Sequence, residues 1–340
     1  MIRIALDAMG GDFAPKTNVL GAMQAVKKYD DIEITLFGDE NKIKEYLTDS
    51  TRINVVHTDK YFDMGEHDAV KAIRSKEPYS MILAMQACKE GKCDCTISAG
   101  PTQVVVVAGH MVLKKIKGMH RIALAPFIPT ANGNKILLDS GANVELRPEH
   151  IAQLAYYATI MAKETLGVEK PKVGLINIGS EEGKGREVDK ETYQVLKEDE
   201  RINFVGNIEP KEMFFSDCDI FINDGFTCNI LLKTLEGTAK YMGACLKKEI
   251  KSSFKSKIGA LFMKKSLKRF KKVFDASEAG GAMLCGLTSL VIKAHGNSDE
   301  VAICNAIRQA RTLVNSKLVE RISQELGDNS EEWFRNCFRN

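Results

Sequence analysis

At 340 residues and 44% hydrophobic, the chain is long enough to bury a large core, as one large α/β domain or as two lobes. Its 48 Lys and Arg against 45 Asp and Glu leave a net charge of only +3, a balance that excludes a general nucleic-acid or polyanion-binding role. No run approaches the roughly 20 apolar residues of a membrane-spanning helix, and nine scattered cysteines read as reduced thiols of a cytosolic protein.

The chain opens on an apolar strand, residues 2–8, ahead of which no secretory leader is expected. Further strands are predicted over 32–38, 53–57, 93–98, 121–128, 135–138, 172–178, 202–206, 219–223 and 291–294. Helical periods lie between them, over 16–28, 67–90, 102–116, 148–166, 190–199, 227–250 and 299–315, with a short last helix near 318–326. Near-continuous Val/Ile runs joined by helices of this length predict a mostly parallel sheet covered on both faces. Pro148 suits the first position of its helix, and Ala155, Ala158 and Ala162 leave that helix a slim face for close packing, with another subunit as a candidate partner. Cys93 and Cys95 share one face of a strand; a metal site would need further ligands nearby, and none is expected.

Three strand ends share one pattern. The first runs into Asp7, Gly10, Gly11 and Asp12, the second into Ser98, Ala99, Gly100 and Thr102, the third into Gly179, Gly183, Lys184 and Gly185. Glycine lets the backbone approach a ligand, and the unpaired N–H groups of a first helical turn point at it. A single such turn is equally a tight connection. Three in one chain, one carrying a lysine able to act as a point charge, suggest a site built around phosphate. No Ser or Thr follows Lys184, so this is not a Walker loop, and Gly10-Gly11 lacks the third glycine of the dinucleotide fingerprint. Asp224 follows another strand and opens a long helix, where it could handle a proton or simply cap the helix; Asn229 could donate to a developing oxyanion. His295 ends a strand and is a candidate acid or base, or a structural histidine. Asn143 and Asn207 sit at strand ends, the edge where parallel sheets bind ligands.

The segment from Lys247 to Lys272 is densely basic, with Glu249 its only acid. Phe254, Ile258, Leu261 and Phe262 fall on one helical stripe; Leu267, Phe270 and Phe274 fall on another, nearly opposite at about 100° per residue. A bend at 263–265 would bring both stripes together. The expectation is a hairpin of two short amphipathic helices over 251–275, either capping the core or exposing an apolar face rimmed by Lys264, Lys265 and Lys268 to an anionic membrane or an acidic partner.

The series Asp7-Ala8-Met9-Gly10-Gly11-Asp12, Asp139 with Gly141-Ala142-Asn143, Asn177-Ile178-Gly179 with Glu181-Glu182-Gly183-Lys184-Gly185, Phe204-Val205-Gly206-Asn207, Asp224-Gly225-Phe226 with Asn229, and Lys293-Ala294-His295-Gly296 resembles the phosphate acyltransferase (PlsX) family, nearly end to end. The resemblance implies transfer of a long fatty acyl chain from acyl carrier protein to inorganic phosphate, giving acyl phosphate for phospholipid synthesis; a short-chain enzyme using acyl-coenzyme A is the alternative. It implies a three-layer α/β/α Rossmann-like fold akin to phosphotransacetylase and isocitrate dehydrogenase, formed as a single catalytic domain with the hairpin as an insertion. It further implies a homodimer held peripherally at the inner face of the membrane, with glycerol-3-phosphate acyltransferase downstream and no metal or other cofactor. Lys184, Asp224, Asn229 and His295 would be the catalytic set, and the glycine turns with Asp7, Asp12, Ser98, Thr102, Asn143 and Asn207 would bind substrate in one shared pocket. Pro101 and Gln103 depart from the family's Ser-Ala-Gly-Asn-Thr-Gly, Pro101 being able to serve as the first helical residue. Cys228 replaces a usual glycine, an exchange expected to narrow the thioester entrance.

Overall fold

Segments such as Ile220–Ile222 and residues 290–292 are apolar on both faces, so they are stable as strands only between two helical layers. The structure is a computed structural model describing residues 1–65, 69–273 and 280–326, with the backbone alone at 271–273. In chain order the strands are Ile2–Asp7 (β1), Ile32–Gly38 (β2), Ile53–His57 (β3), Cys95–Ser98 (β4), Ala123–Ala125 (β5), Phe127–Thr130 (β6), Gly133–Leu138 (β7), Lys172–Ile176 (β8), Asn203–Ile208 (β9), Ile220–Ile222 (β10), Ala282–Cys285 (β11) and Leu290–Lys293 (β12). The helices are Lys16–Lys28 (α1), Glu40–Lys44 (α2), Ala69–Arg74 (α3), Ser80–Lys89 (α4), Thr102–Ala108 (α5), Pro148–Leu166 (α6), Glu187–Glu198 (α7), Gly225–Ser252 (α8), Phe254–Phe262 (α9), Lys264–Val273 (α10) and Glu300–Asn315 (α11), with 318–326 also helical.

The strands form two sheets, ordered β3-β2-β1-β4-β12-β11-β5 and β6-β7-β10-β8-β9. Pairing is parallel throughout except around β11 in the first sheet and β6 in the second. In the first, Leu6 lies opposite Ile97 and Lys293 opposite Ser98, so Asp7, Ser98 and Lys293 end three adjacent strands at one carboxyl edge. Alternation along β1 sends Ile4 and Leu6 into a core shared with α1 and α11, and Ala5 into one shared with α4 and α5. The second sheet is covered by α6 on one face and by the first turns of α8 on the other. Both sheets are therefore α/β/α layers of mostly parallel strands.

Several expected elements are divided or displaced. Pro78 interrupts the period over 67–90, separating α3 from α4, because proline lacks an N–H and disfavours helix at the preceding residue. The run 121–128 belongs to both sheets, β5 to the first and β6 to the second, with Pro126 at the crossing. β11 and α2 carry too short a pattern to be read. The slim face of α6 is not free for another subunit: Ala155, Ala158 and Ala162 are fully buried in this chain's own core. Pro101 lies just before the first turn of α5 rather than inside it.

Candidate active site

The edge formed by β1, β4 and β12 is held by Asp7. Its buried carboxylate accepts the hydroxyls of Ser80 and Ser98 at 2.7 Å each and the Met9 N–H at 3.2 Å. Ser98 Oγ accepts in turn from the Gly100 N–H at 3.0 Å. Burial pushes the Asp7 carboxyl above the usual range, against the pull of the two serines. A Cβ on Gly10 would stand 2.6 Å from Asp7 Oδ2 and 2.7 Å from Gly100 N, so only glycine allows the first two turns to meet. Asp12 donates its N–H to the Gly296 carbonyl at 2.8 Å, which joins the third loop, after β12. Asp7, Gly10, Gly11, Asp12, Ser98, Gly100, Thr102 and His295 are thus brought together, with Asp7 and Ser98 beneath the surface as scaffold.

Above this edge lies a cleft of ≈ 1350 Å³, lined at the strand ends by Asp12, Gly100, Thr102, Gln103, Lys293 and His295. One stripe of α8 forms its long wall: Asn229, Leu232, Lys233, Glu236, Ala239, Lys240, Gly243, Leu246, Lys247 and Ile250 recur every three or four residues, over roughly 30 Å at ~1.5 Å per residue. Leu267 and Phe270 of α10 complete it. A smaller hollow of ≈ 370 Å³ adjoins it, sharing Asp12 and Met64.

Two lining residues escaped the sequence reading. Lys293 is only 7% exposed, and its Nζ donates to the carbonyls of Ala99, at 3.5 Å, and Ala294. Burial, then repulsion from Lys233, bring its ammonium down to about 8, with Asp12 and Asp7 opposing. Its signals were a lone lysine closing an apolar strand and its place in the motif Lys293-Ala294-His295-Gly296. Glu236 is the other. His295 Nε2 lies 3.8 Å and Lys233 Nζ 3.3 Å from its carboxylate, and these contacts, His295 foremost, hold it down to about 2.

The second sheet's edge gathers the remaining candidates, and of these only Asn229 lines the cleft. Asn177 donates to the Lys184 carbonyl (3.0 Å) and to Asn207 Oδ1 (3.2 Å), and Asn207 donates to the Glu181 carbonyl (2.8 Å). These bonds close the loop of Gly179, Gly183, Lys184 and Gly185 on itself. The half-exposed Lys184 ammonium sits 3.7 Å from Glu181. Asp224 caps α8 through the Thr227 N–H (2.8 Å) and pairs with Arg186 at 2.8 Å; Arg186, also bonded to Asp189, was not anticipated. Asn143 donates its amide to the Ile122 carbonyl and to Asp139, whose buried carboxylate organises residues 139–143. The single pocket expected around Gly10, Gly100 and Lys184 is therefore divided, because each edge belongs to a different sheet. Asn229 links them: it lines the cleft and packs on Gly141 at the end of β7. Cys228 does not narrow an entrance; it is fully buried against Leu137, Ile176 and Phe221.

In the basic segment the chain breaks at Met263, between α9 and α10. The apolar stripes do not merge into one face. Phe254, Leu261 and Phe262 are 77%, 69% and 86% exposed and Ile258 is also open, whereas Leu267 and Phe270 turn to the cleft. Lys264, Lys265 and Lys268 are exposed beside them; Phe274 lies outside the described residues. Among the described residues, no helix is long and apolar enough to cross a membrane.

A family model of fatty acid synthesis proteins matches residues 2–321. The phosphate acyltransferase of Acholeplasma laidlawii (strain PG-8A) is 48% identical over 334 residues, 97% of this chain and 100% of that protein. That of Geobacillus sp. (strain WCH70) is 45% identical over 329 residues, 96% and 99% of the two chains. The chain belongs to the phosphate acyltransferase family. It is accordingly an acyltransferase. Its fold is shared with a phosphotransacetylase from Streptococcus pyogenes, at a TM-score of 0.59 with 14% identity over 94% of each chain. A branched-chain phosphotransacylase from Enterococcus faecalis V583 has a TM-score of 0.56 with 15% identity, over 92% of this chain and 100% of that one. A 4-hydroxythreonine-4-phosphate dehydrogenase from Klebsiella pneumoniae scores 0.55 with 11% identity, over 92% of this chain and 100% of that one. The architecture alone thus accommodates more than one chemistry.

Proposed function

We propose that this phosphate acyltransferase moves a long-chain fatty acyl group from the thioester of acyl carrier protein to inorganic phosphate. The observation that carries this reading is the form of one cleft. Its floor at the strand ends is polar and carries the Lys293 cation, and its long wall carries an apolar row, Leu232, Met242, Leu246 and Ile250 of α8 with Leu267 and Phe270 of α10, flanked by lysines. At ≈ 1350 Å³ it exceeds the roughly 300–1000 Å³ of ordinary small-molecule pockets. A charged nucleophile at one end and a fatty chain along the other fit that division.

In the step itself, a phosphate oxygen attacks the thioester carbonyl carbon. The C–O bond forms, the C–S bond breaks, and the carrier's thiolate leaves with the electron pair and takes a proton from solvent. Phosphate is already anionic at neutral pH, and a thiol of pKa near 8.5 leaves readily, so no strong base is needed. Placement and charge neutralisation then supply the catalysis. Asn229 and His295, which both line the cleft, would donate to the tetrahedral oxyanion. Asp224, through its cap of α8, positions Asn229, and Lys184 contributes a longer-range positive charge from outside the cleft.

Lysines at the mouth, Lys240, Lys247 and Lys251, suit an acidic carrier. The outward Phe254, Leu261 and Phe262, with Lys264, Lys265 and Lys268, suit peripheral contact with an anionic membrane, where the acyl phosphate would pass to glycerol-3-phosphate acyltransferase. Phe226, Ile230 and Tyr241, exposed on the face of α8 away from the cleft, suit a homodimer. Purified protein given phosphate and palmitoyl-carrier should accumulate acyl phosphate, trapped as its hydroxamate, while acetyl-coenzyme A supports little product. Faster turnover of acetyl-coenzyme A would replace this reading with the short-chain one.

A further inference from the structure

We infer that Lys293 is the residue that binds the inorganic phosphate, holding it between its own ammonium and that of Lys233 across the cleft. The inference rests on the acyl-transfer reading above and deepens it. A lysine is seldom buried without a carboxylate partner. Lys293 is 7% exposed, its hydrogen bonds go to two backbone carbonyls, and no carboxylate pairs with it among the described residues. Such a charge is poorly compensated in the structure as it stands. An anion in the cleft would compensate it, and a dianion would also relieve the repulsion between Lys293 and Lys233.

Position argues for orthophosphate over the phosphodiester of a carrier's pantetheine arm. Lys293 ends β12 at the cleft floor, level with Ser98 and between the loops that carry Gly100 and His295. The pantetheine phosphate would stay further along α8, where the exposed Lys240, Lys247 and Lys251 stand. The attacking nucleophile must lie deep, beside Thr102, Asn229 and His295. Lys184 belongs to the second sheet's edge and does not line the cleft, whereas Lys233, though exposed and 3.3 Å from Glu236, does.

The charged groups facing Lys293 are Asp7 from β1, Asp12 from the following turn, Lys233 and Glu236 from α8, and His295 from its own loop. With its ammonium brought down to about 8, Lys293 loses charge over an accessible range. Orthophosphate loses its second proton near about pH 7 and is a dianion of constant charge from about pH 8 upward, so over that upper range the apparent KM for phosphate should rise as Lys293 loses its charge.

The test is steady-state kinetics of the full-length protein with palmitoyl-carrier and inorganic phosphate. Lys293→Met should raise the phosphate KM about tenfold or more, with the thioester KM within about twofold, and Lys293→Arg should recover part of the loss. In wild-type protein the phosphate KM should rise about tenfold or more between about pH 8 and about pH 9.5, where phosphate stays dianionic, and Lys293→Arg should flatten that rise. A Lys293→Met phosphate KM within about twofold of wild type overturns the inference. So does a rise confined to the thioester KM, which would assign Lys293 to the carrier's phosphodiester. A flat wild-type pH profile overturns it even if no variant folds. Wild-type protein that consumes no thioester in response to phosphate refutes the acyl-transfer reading itself.

Discussion

At the end of the first sheet, Lys293, Thr102 and His295 face an open cleft, while Asp7 and Ser98 beneath them hold the backbone in place. At the end of the second, Asn177, Asn207, Arg186, Asp189 and Asp224 bond chiefly to one another and to nearby backbone. Both edges have the same ingredients: glycines, carboxylates, an amide or hydroxyl and a lysine. They differ in where the strong donors point. In the first edge a cation is buried with no carboxylate paired to it among the described residues; in the second the loop's amides and the Arg186 guanidinium are matched internally. A glycine turn at a sheet edge is therefore evidence for a ligand only when its polar groups are left for one to satisfy.

The sharpest way to break this comparison is to strain the scaffold that the edges share. A Cβ on Gly225 would stand 2.0 Å from the Asn143 carbonyl oxygen, a backbone atom that cannot swing aside. Gly225→Ala should destabilise the protein by about 3 kcal/mol, measured by denaturant unfolding, because α8 must shift against the end of β7. A loss below about 1 kcal/mol would mean that the α8 start is not the rigid link between the edges.

Acid should separate the edges next. For Asp189, burial alone would raise the carboxyl, but hydrogen bonds from Arg186 outweigh it and the group sits below its ordinary value. Its stabilisation is complete above the unfolded carboxylate range and is lost as pH falls through the depressed value. Asp7 is raised, so the folded chain binds its proton more readily than the unfolded chain, and that edge gains relative stability as pH falls through the raised value. Hydrogen exchange between about pH 5 and about pH 3 should show residues 186–189 losing protection relative to residues 8–12. Parallel losses at both edges would contradict the contrast.

The smallest expected effect is that of Lys184→Met. Its ion pair with Glu181 is long and exposed, so stability should change by less than about 0.5 kcal/mol. Acting from outside the cleft, the charge should alter the phosphate KM by only about threefold, less than at Lys293. A larger effect than that of Lys293→Met would reverse the ranking of the two edges.

Much of the architecture was legible because it is local. Apolar runs such as residues 32–38 and 172–176, the long periods of α6 and α8, and the break at Met263 follow from composition and spacing within a few residues. Short or interrupted elements were less legible: Pro78 divided one helix, and the run 121–128 was shared between two sheets, which neighbouring residues alone do not announce. Among the site candidates, the Asp7, Gly10, Gly100 and His295 group was recognisable from strand-end chemistry, whereas Lys293, though part of the motif Lys293-Ala294-His295-Gly296, carried no role because its burial, with no paired carboxylate among the described residues, shows only in three dimensions.

By itself the sequence determined that this chain is α/β, that its polar turns lie at strand ends, and that its basic segment forms two helices, since each depends on residues adjacent in the chain. Only the tertiary structure decided which turns meet, that Lys184 and Lys293 belong to different edges, and that α10 faces the cleft while α9 faces outward. Those outcomes depend on strand order and on contacts between residues far apart in sequence, where burial, not residue type, determines whether a charge is already matched or still open to a ligand.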